Sequence, residues 1–193
     1  HAVYVATCDD EIRTEANSFD VPTVMTSNSH VRASDRVAEA AEMLASKGEQ
    51  FDLFVMLQGD EPCISGQVLD DQIAWCRDHP EIGVSNLVGA ITSREEHFSP
   101  NTIKCLLAAD RMIYLSRLPV PGSGHLDSGI LGKQICSIAF SRESLRTFSE
   151  LAPGGLEEAE SIDMLRFIKN GFPVGYLWTE LRSHPVDVPS DIA

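Results

Sequence analysis

The chain is poor in basic side chains, has no closely spaced cysteine pair and contains no apolar run long enough to cross a bilayer. Each shortage removes a class of function. Against 29 Asp and Glu it carries only 15 Lys and Arg, a formal net charge of −14, which disfavours unassisted binding to nucleic acid or to an anionic membrane surface. An anionic small-molecule substrate must therefore meet locally placed Lys, Arg or a metal ion. Cys8, Cys63, Cys76, Cys105 and Cys136 lie far apart with no CxxC spacing, which argues against a zinc site or a dense disulfide framework. Most are expected as buried thiols, with Cys8 and Cys63 near predicted strand ends. The uncharged stretch Gly83 to Ser93 is too short to span a membrane, and no basic segment precedes an apolar one as in a secretion signal. A cytoplasmic protein is expected. No internal repeat or low-complexity tract is visible. What remains is 193 residues with 43% hydrophobic content, enough for one domain over 1–193 with a sizeable core.

Strand-like and helix-like patterns alternate, which predicts an α/β fold with a mostly parallel sheet between helices. Strands are expected at Ala2–Ala6, Pro22–Met25, Leu53–Leu57, Val84–Ile91, Ile135–Phe140 and Val174–Trp178. Helices are expected at Asp9–Phe19, opened by an acidic cap, and at Ser34–Gly48, with Ser34 or Asp35 as cap and Gly48 as stop. Further helices are predicted after a Ser65 cap, at Ser144–Leu151 and at Leu156–Ile168. The alternation changes in the middle: TIKCLLA and MIYLSR are two short strand-like runs close together, so residues 92–141 are expected as a smaller α+β insertion. Pro119 to Gln134, rich in Gly, Pro and Ser, is expected as a mobile loop that orders over a substrate.

The stretch Leu53 to Pro62, LFVMLQGDEP, ends an apolar run in an amide, a glycine and two adjacent carboxylates. Ligands bind at the carboxyl edge of the strands in open α/β sheets, and carboxylates there suit Mg²⁺. Asp60 alone serves equally as a turn or helix cap. Arg36, Lys104 and Arg117 are isolated cations in an acidic chain, candidates for phosphate or carboxylate recognition or for solvated surface. Lys104 interrupts an apolar strand, where an unpartnered charge is costly. Glu160 and Asp163 fall three apart on one predicted helix face, where they could bond a ligand's hydroxyls or lie as simple surface acids.

QGDEP at Gln58–Pro62, FSPNTIK at Phe98–Lys104, YLSR at Tyr114–Arg117, LEEAESIDMLR at Leu156–Arg166 and HPVDVPSD at His184–Asp191 together resemble the 3-deoxy-manno-octulosonate cytidylyltransferases. VATCDDE at Val5–Glu11 and SHVRASDR at Ser29–Arg36 extend the likeness over essentially the whole chain. The resemblance implies a three-layer α/β/α Rossmann-like sandwich of the nucleotide-diphospho-sugar transferase type, a homodimer, and transfer of CMP from CTP to a 3-deoxy-ulosonic acid with release of pyrophosphate. It implies Mg²⁺ held by Asp60 and Asp187, with Lys104 a further catalytic candidate. It also implies substrate contacts from His30, Ser34, Arg36, Gln58, Arg117, Gln134, Glu160 and Asp163.

Two departures from the family pattern bear on the sugar: Gln134 stands where the family has a histidine, and Met164 where it has a glutamine. The loss of hydrogen-bonding character at Met164 and its change at Gln134 favour a modified acceptor such as an amino-substituted ulosonate. The family's opening strand, basic phosphate loop and helix are not in this sequence, so a longer polypeptide upstream is expected. Two alternatives stand beside this reading. One is a nucleotidyltransferase for another sugar acid or base; the other is a catalytically silent nucleotide-binding homologue.

Overall fold

The computed structural model describes residues 1–122, 129–181 and 185–186. Its first unit is β1 (Val5–Thr7), α1 (Asp10–Ser18) and β2 (Thr23–Met25), with β1 and β2 paired in parallel. The Asp9 carboxylate caps α1 by accepting the Glu11 and Ile12 amides, as the acidic start predicts. Helix α2 (Ala33–Ser46) packs Ala40 and Leu44 against Val24, Tyr4 and Phe51. The chain turns away from α2 at Gly48, whose φ of +89° is a conformation other residues resist.

The main sheet contains β3 (Leu53–Leu57), β4 (Val84–Gly89), β5 (Lys104–Ala108), β6 (Arg111–Ser116), β7 (Leu131–Ser141) and β8 (Gly175–Trp178). Its order is β3-β7-β4-β8-β6-β5. It is mixed rather than mostly parallel: β4 and β8 run parallel, whereas β7 runs antiparallel to β3, β4 and β5. Periodicity reveals each strand but not the direction in which a long connection returns it. Despite its apolar run, β3 is only half-buried, with Met56 alone fully inside.

Strand β7 begins four residues earlier than its apolar core suggests, so Leu131–Gln134 are strand rather than loop; Ser123–Ser128 of the expected mobile segment lie outside the described residues. On one side β7 follows β4 throughout. On the other it pairs first with β5 and then with β3, closing a ring of pairings through β4, β8, β6 and β5. The register slips between Asn86 and Leu87, leaving Cys136 and Ser137 as a bulge. Bulges bend and twist a strand, and this one lets a single strand serve three neighbours. Thus residues 92–141 supply α4 (Arg94–Phe98), the β5–β6 pair and a strand in the middle of the sheet.

Helix α3 (Gly66–Asp78) covers one face, with Gln72 bonding the carbonyls of Ser85 and Ser137. Trp75 lies so close to Gly175 that a Cβ there would meet its ring at 2.2 Å. The other face carries the larger core, in which Met56, Val84, Val88, Ile138 and Phe140 meet α2, α5 (Arg142–Glu150) and α7 (Leu165–Lys169). These are the three layers.

The predicted helix Leu156–Ile168 is two helices. Helix α6 (Leu156–Glu160) stops at Ser161, which adopts the left-handed region with φ of 56°, and α7 restarts at Leu165. The cause is Arg32, whose guanidinium bonds the Glu157 carbonyl at 2.9 Å and the Ser161 hydroxyl at 2.7 Å. A cation thus takes up the end of α6 from a distant segment.

Beneath that turn Arg166 is 1% exposed. It bonds both oxygens of Asp35 at 2.7 and 2.9 Å and both of Glu157 at 2.9 and 2.6 Å, and its guanidinium carbon sits 4.0 Å above the Phe148 ring. The two carboxylates raise its pKa against the opposing effect of burial. Removing one partner of a buried ion pair leaves an uncompensated charge, at a cost of about 3–5 kcal/mol. Arg166→Met should therefore lower stability by roughly that amount. In urea titrations of variant and parent, the midpoint should fall with an unchanged slope; an unchanged midpoint would contradict a central role for this ion cluster.

Candidate active site

A cleft of about 160 Å³ opens beyond the carboxyl end of β3. Gln58, Asp60 and Glu61 enter it from the turn after β3, and Gln134, Cys136 and Ile138 from β7 around the bulge. Ser161, Ile162 and Asp163 come from the break between α6 and α7; Asn101, Ile103, Arg117 and Pro185 complete the wall.

The QGDEP turn is tied to the bulge in both directions. The Gln58 amide donates to the Cys136 carbonyl and the Cys136 amide donates to the buried Glu61 carboxylate, each at 3.2 Å. The Asp60 carbonyl accepts the Val186 amide at 2.8 Å. The Asp60 side chain is different: its Oδ1 is buried and has no hydrogen-bond partner among the described residues. A buried carboxylate oxygen left unmet is costly, and its hard oxygen chemistry fits a cation such as Mg²⁺. Among the described residues no three His, Cys, Asp or Glu cluster for metal binding. Asp187, the other expected ligand, lies outside them.

Asp163 sits in the break, not on a helix face with Glu160 as the uninterrupted pattern predicts. Its Oδ2 accepts both the amide and the hydroxyl of Ser34, at 3.1 and 2.8 Å. Ser34 is therefore not the cap of α2. That helix begins one residue earlier, after Arg32, with no cap from its own N-terminal residue, and Asp163 supplies the missing acceptor at the positive end of the helix. Neither is Asp35 the cap; it holds Arg166. Burial pushes the Asp163 carboxyl up, against the pull of Ser34 and of Arg32, whose guanidinium lies 3.9 Å away.

Glu160 does not line the cleft. Its carboxylate accepts the Tyr114 and Ser116 hydroxyls and the Arg117 amide at 3.1, 2.9 and 2.8 Å. Burial alone would raise its pKa, but these bonds and the Arg117 charge outweigh burial and lower it. Arg117, which does line the cleft, is oriented by the carbonyls of Glu160 and Pro100 at 2.9 and 3.1 Å.

Lys104 is fully buried, and its ammonium meets the carbonyls of Ser99, Thr102 and Arg117 rather than the cleft. Burial, with Arg117 nearby, lowers its pKa. His30 pairs with Glu39, and Arg36 bonds the Thr26 hydroxyl and the Ser27 carbonyl; both stand beside the end of β2, outside the cleft. Met164 is packed in the core with Phe148 and Phe167.

Gln58, Asp60, Arg117, Gln134 and Asp163 are thus brought together as the motifs predict. Glu61 was visible only as Asp60's neighbour, and Asn101 only as part of FSPNTIK. Arg32 and Arg166 shape the site from behind; Arg166 interrupts an apolar stretch, but a lone arginine in a sequence does not disclose its partners.

Residues 1–174 match the family described as cytidylyltransferase. A 3-deoxy-manno-octulosonate cytidylyltransferase of Nitratidesulfovibrio vulgaris (strain DP4) is 36% identical over 196 residues, covering 98% of this chain and 76% of that protein. An 8-amino-3,8-dideoxy-manno-octulosonate cytidylyltransferase of Shewanella sediminis is 32% identical, covering 99% of this chain and 78% of its own length. The solved structure of a CMP:2-keto-3-deoxy-manno-octonic acid synthetase complexed with CTP matches with a TM-score of 0.86 at 28% identity, over 100% of this chain and 78% of that one. An inositol-1-phosphate CTP transferase of T. maritima, 14% identical with a TM-score of 0.61 over 98% of this chain and 71% of its own, shares the fold. With the family's sequence pattern along nine-tenths of its length and the family's architecture throughout, this chain belongs to the cytidylyltransferases.

Proposed function

We propose that the protein transfers CMP from CTP to a 3-deoxy-manno-octulosonate-type sugar acid, with Asp60 and Asp187 holding Mg²⁺. The observation that carries this reading is the orphaned Asp60 oxygen in a cleft whose lining also includes Gln58, Asn101, Gln134, Arg117 and Asp163. Val186, hydrogen-bonded to the Asp60 carbonyl, immediately precedes Asp187 in the chain, which supports pairing the two aspartates.

In the reaction the anomeric hydroxyl oxygen of the sugar acid bonds to the α-phosphorus of CTP. The bond from that phosphorus to the bridging oxygen breaks, pyrophosphate leaves and the hydroxyl proton is released. Asp60 and Asp187 would hold the Mg²⁺, which when bound would supply neutralisation of charge developing on the phosphate oxygens. The chain itself supplies alignment, which accounts for a large part of such a barrier. Arg117, preset by Glu160 and Pro100, suits the acceptor's carboxylate. Gln58 and Gln134 offer both donors and acceptors to its hydroxyls, and Asp163 offers an acceptor. By family resemblance, the substrate-binding residues also include His30, Ser34 and Arg36, and the protein acts as a homodimer.

Asp60→Asn and Asp187→Asn should each lower kcat by about 10²-fold or more, the scale on which one electrostatic contact to a transition state acts, while thermal unfolding stays near that of the parent. Pyrophosphate release from CTP in a Mg²⁺ titration is the assay; near-parental turnover by either variant removes that residue from the metal.

The histidine-to-glutamine change at Gln134 supports selectivity for an amino-substituted acceptor. A mismatched polar group in such a pocket leaves partners unsatisfied. The kcat/KM for an 8-amino ulosonate should exceed that for the unmodified sugar by about tenfold, and Gln134→His should narrow the ratio. A parent enzyme that prefers the unmodified sugar contradicts this assignment.

A further inference from the structure

In the segment Ser99–Ile103, between α4 and β5, the backbone carbonyls are met mainly by side-chain cations and one strand amide. Lys104 Nζ donates to the Ser99 carbonyl at 2.8 Å and the Thr102 carbonyl at 2.7 Å, and its third bond goes to the Arg117 carbonyl. Arg117 donates in turn to the Pro100 carbonyl, and the Gln134 amide donates to the Ile103 carbonyl at 2.9 Å. Four of the strap's five carbonyls are thereby fixed to residues that line the cleft or to the lysine behind them. The residue at the apex is Asn101, which is exposed and lines the cleft together with Arg117 and Gln134.

A lysine completely withdrawn from water is expensive unless all three of its donors are met. Here they are met by backbone carbonyls alone, so Lys104 spends its hydrogen bonds on the shape of a loop. If the lysine served the core only, its partners would lie in the sheet; instead two of them lie in the strap and the third in the residue expected to grip the acceptor.

We propose that Lys104 is a positioning residue for acceptor recognition, setting the Ser99–Ile103 strap so that the Asn101 amide hydrogen-bonds the sugar acid alongside Arg117 and Gln134. This rests on the transferase reading above and adds to it a contact residue and the group that places it. An asparagine side chain presents a donor and an acceptor together, which suits adjacent hydroxyls. Its discrimination depends on being held still.

The test uses the full-length protein, with CTP and acceptor varied separately, in the parent and in Asn101→Ala, Lys104→Gln and the double variant. Asn101→Ala, an exposed change, should raise the acceptor KM about tenfold, the loss of a hydrogen bond or two, with the CTP KM within about twofold of the parent's. Lys104→Gln should raise the acceptor KM similarly and speed amide exchange over residues 99–103. Because both act on one contact, the double variant should be scarcely worse than Lys104→Gln alone. An unchanged acceptor KM in Asn101→Ala overturns the inference, as do additive effects in the double variant. So does a Lys104→Gln defect that falls on kcat or on both KM values equally. A parent protein that releases no pyrophosphate from CTP with any 3-deoxy-ulosonate overturns the transferase reading itself, and this inference with it. Should Lys104→Gln fail to fold, the Asn101→Ala result alone decides.

Discussion

The burial of Arg166 is the constraint on which the rest of the site depends. An arginine cannot shed its charge, so a guanidinium placed inside the protein must be surrounded by acceptors. Asp35 comes from α2, Glu157 from α6 and the Phe148 ring from α5, which locks three helices to α7. Glu157 is shared: it also lies 3.5 Å from Arg32. That second arginine ends α6 and turns the chain so that Asp163 can cap α2 and still reach the cleft. The helix break looks like a local irregularity, yet it is the means by which a core ion cluster presents a carboxylate to the cleft. Replacing such a cluster by apolar side chains can be neutral for stability; here it would leave the Asp163 turn without its support.

The bulge in β7 acts on the opposite wall. By leaving two residues out of register it frees Cys136 to exchange hydrogen bonds with the QGDEP turn, while Gln72 takes the Ser137 carbonyl and hydroxyl from the other face. The ladder between β3 and β7 is in this way continued by a turn and a carboxylate. One consequence is that Asp60 is held by its backbone, with a side-chain oxygen left over. Cys136, Glu61 and Gln72 find partners in this wall, whereas the Asp60 oxygen does not.

The buried cations divide the same way. Lys104 and Arg166 are both nearly inaccessible, both interrupt apolar stretches in the sequence, and both are fully engaged. Arg117 also bonds backbone carbonyls, but it keeps a face in the cleft. Isolation of a cation in an acidic chain is therefore a sound pointer to importance and a poor one to role.

Much of the fold was legible. The acidic cap of α1, the Ser65 cap of α3, the stop at Gly48 and the strand ending at QGDEP depend on interactions within a few residues, and local pattern reports those faithfully. The ordered motifs likewise identify the family and place Gln58, Asp60, Arg117, Gln134 and Asp163 at one site. Strand direction, the break after Glu160, the engagement of Glu160 with Arg117 and the inward turn of Lys104 were not legible, because each is decided by a partner far away in the chain. Ser34 looks like a cap for its own helix; only the folded chain shows that Asp163 takes that part from 129 residues away. The sequence by itself determined which chemical groups were available and which short segments could form. Which of those groups face the cleft was decided by the tertiary structure, because a buried charge goes wherever enough acceptors converge to meet it.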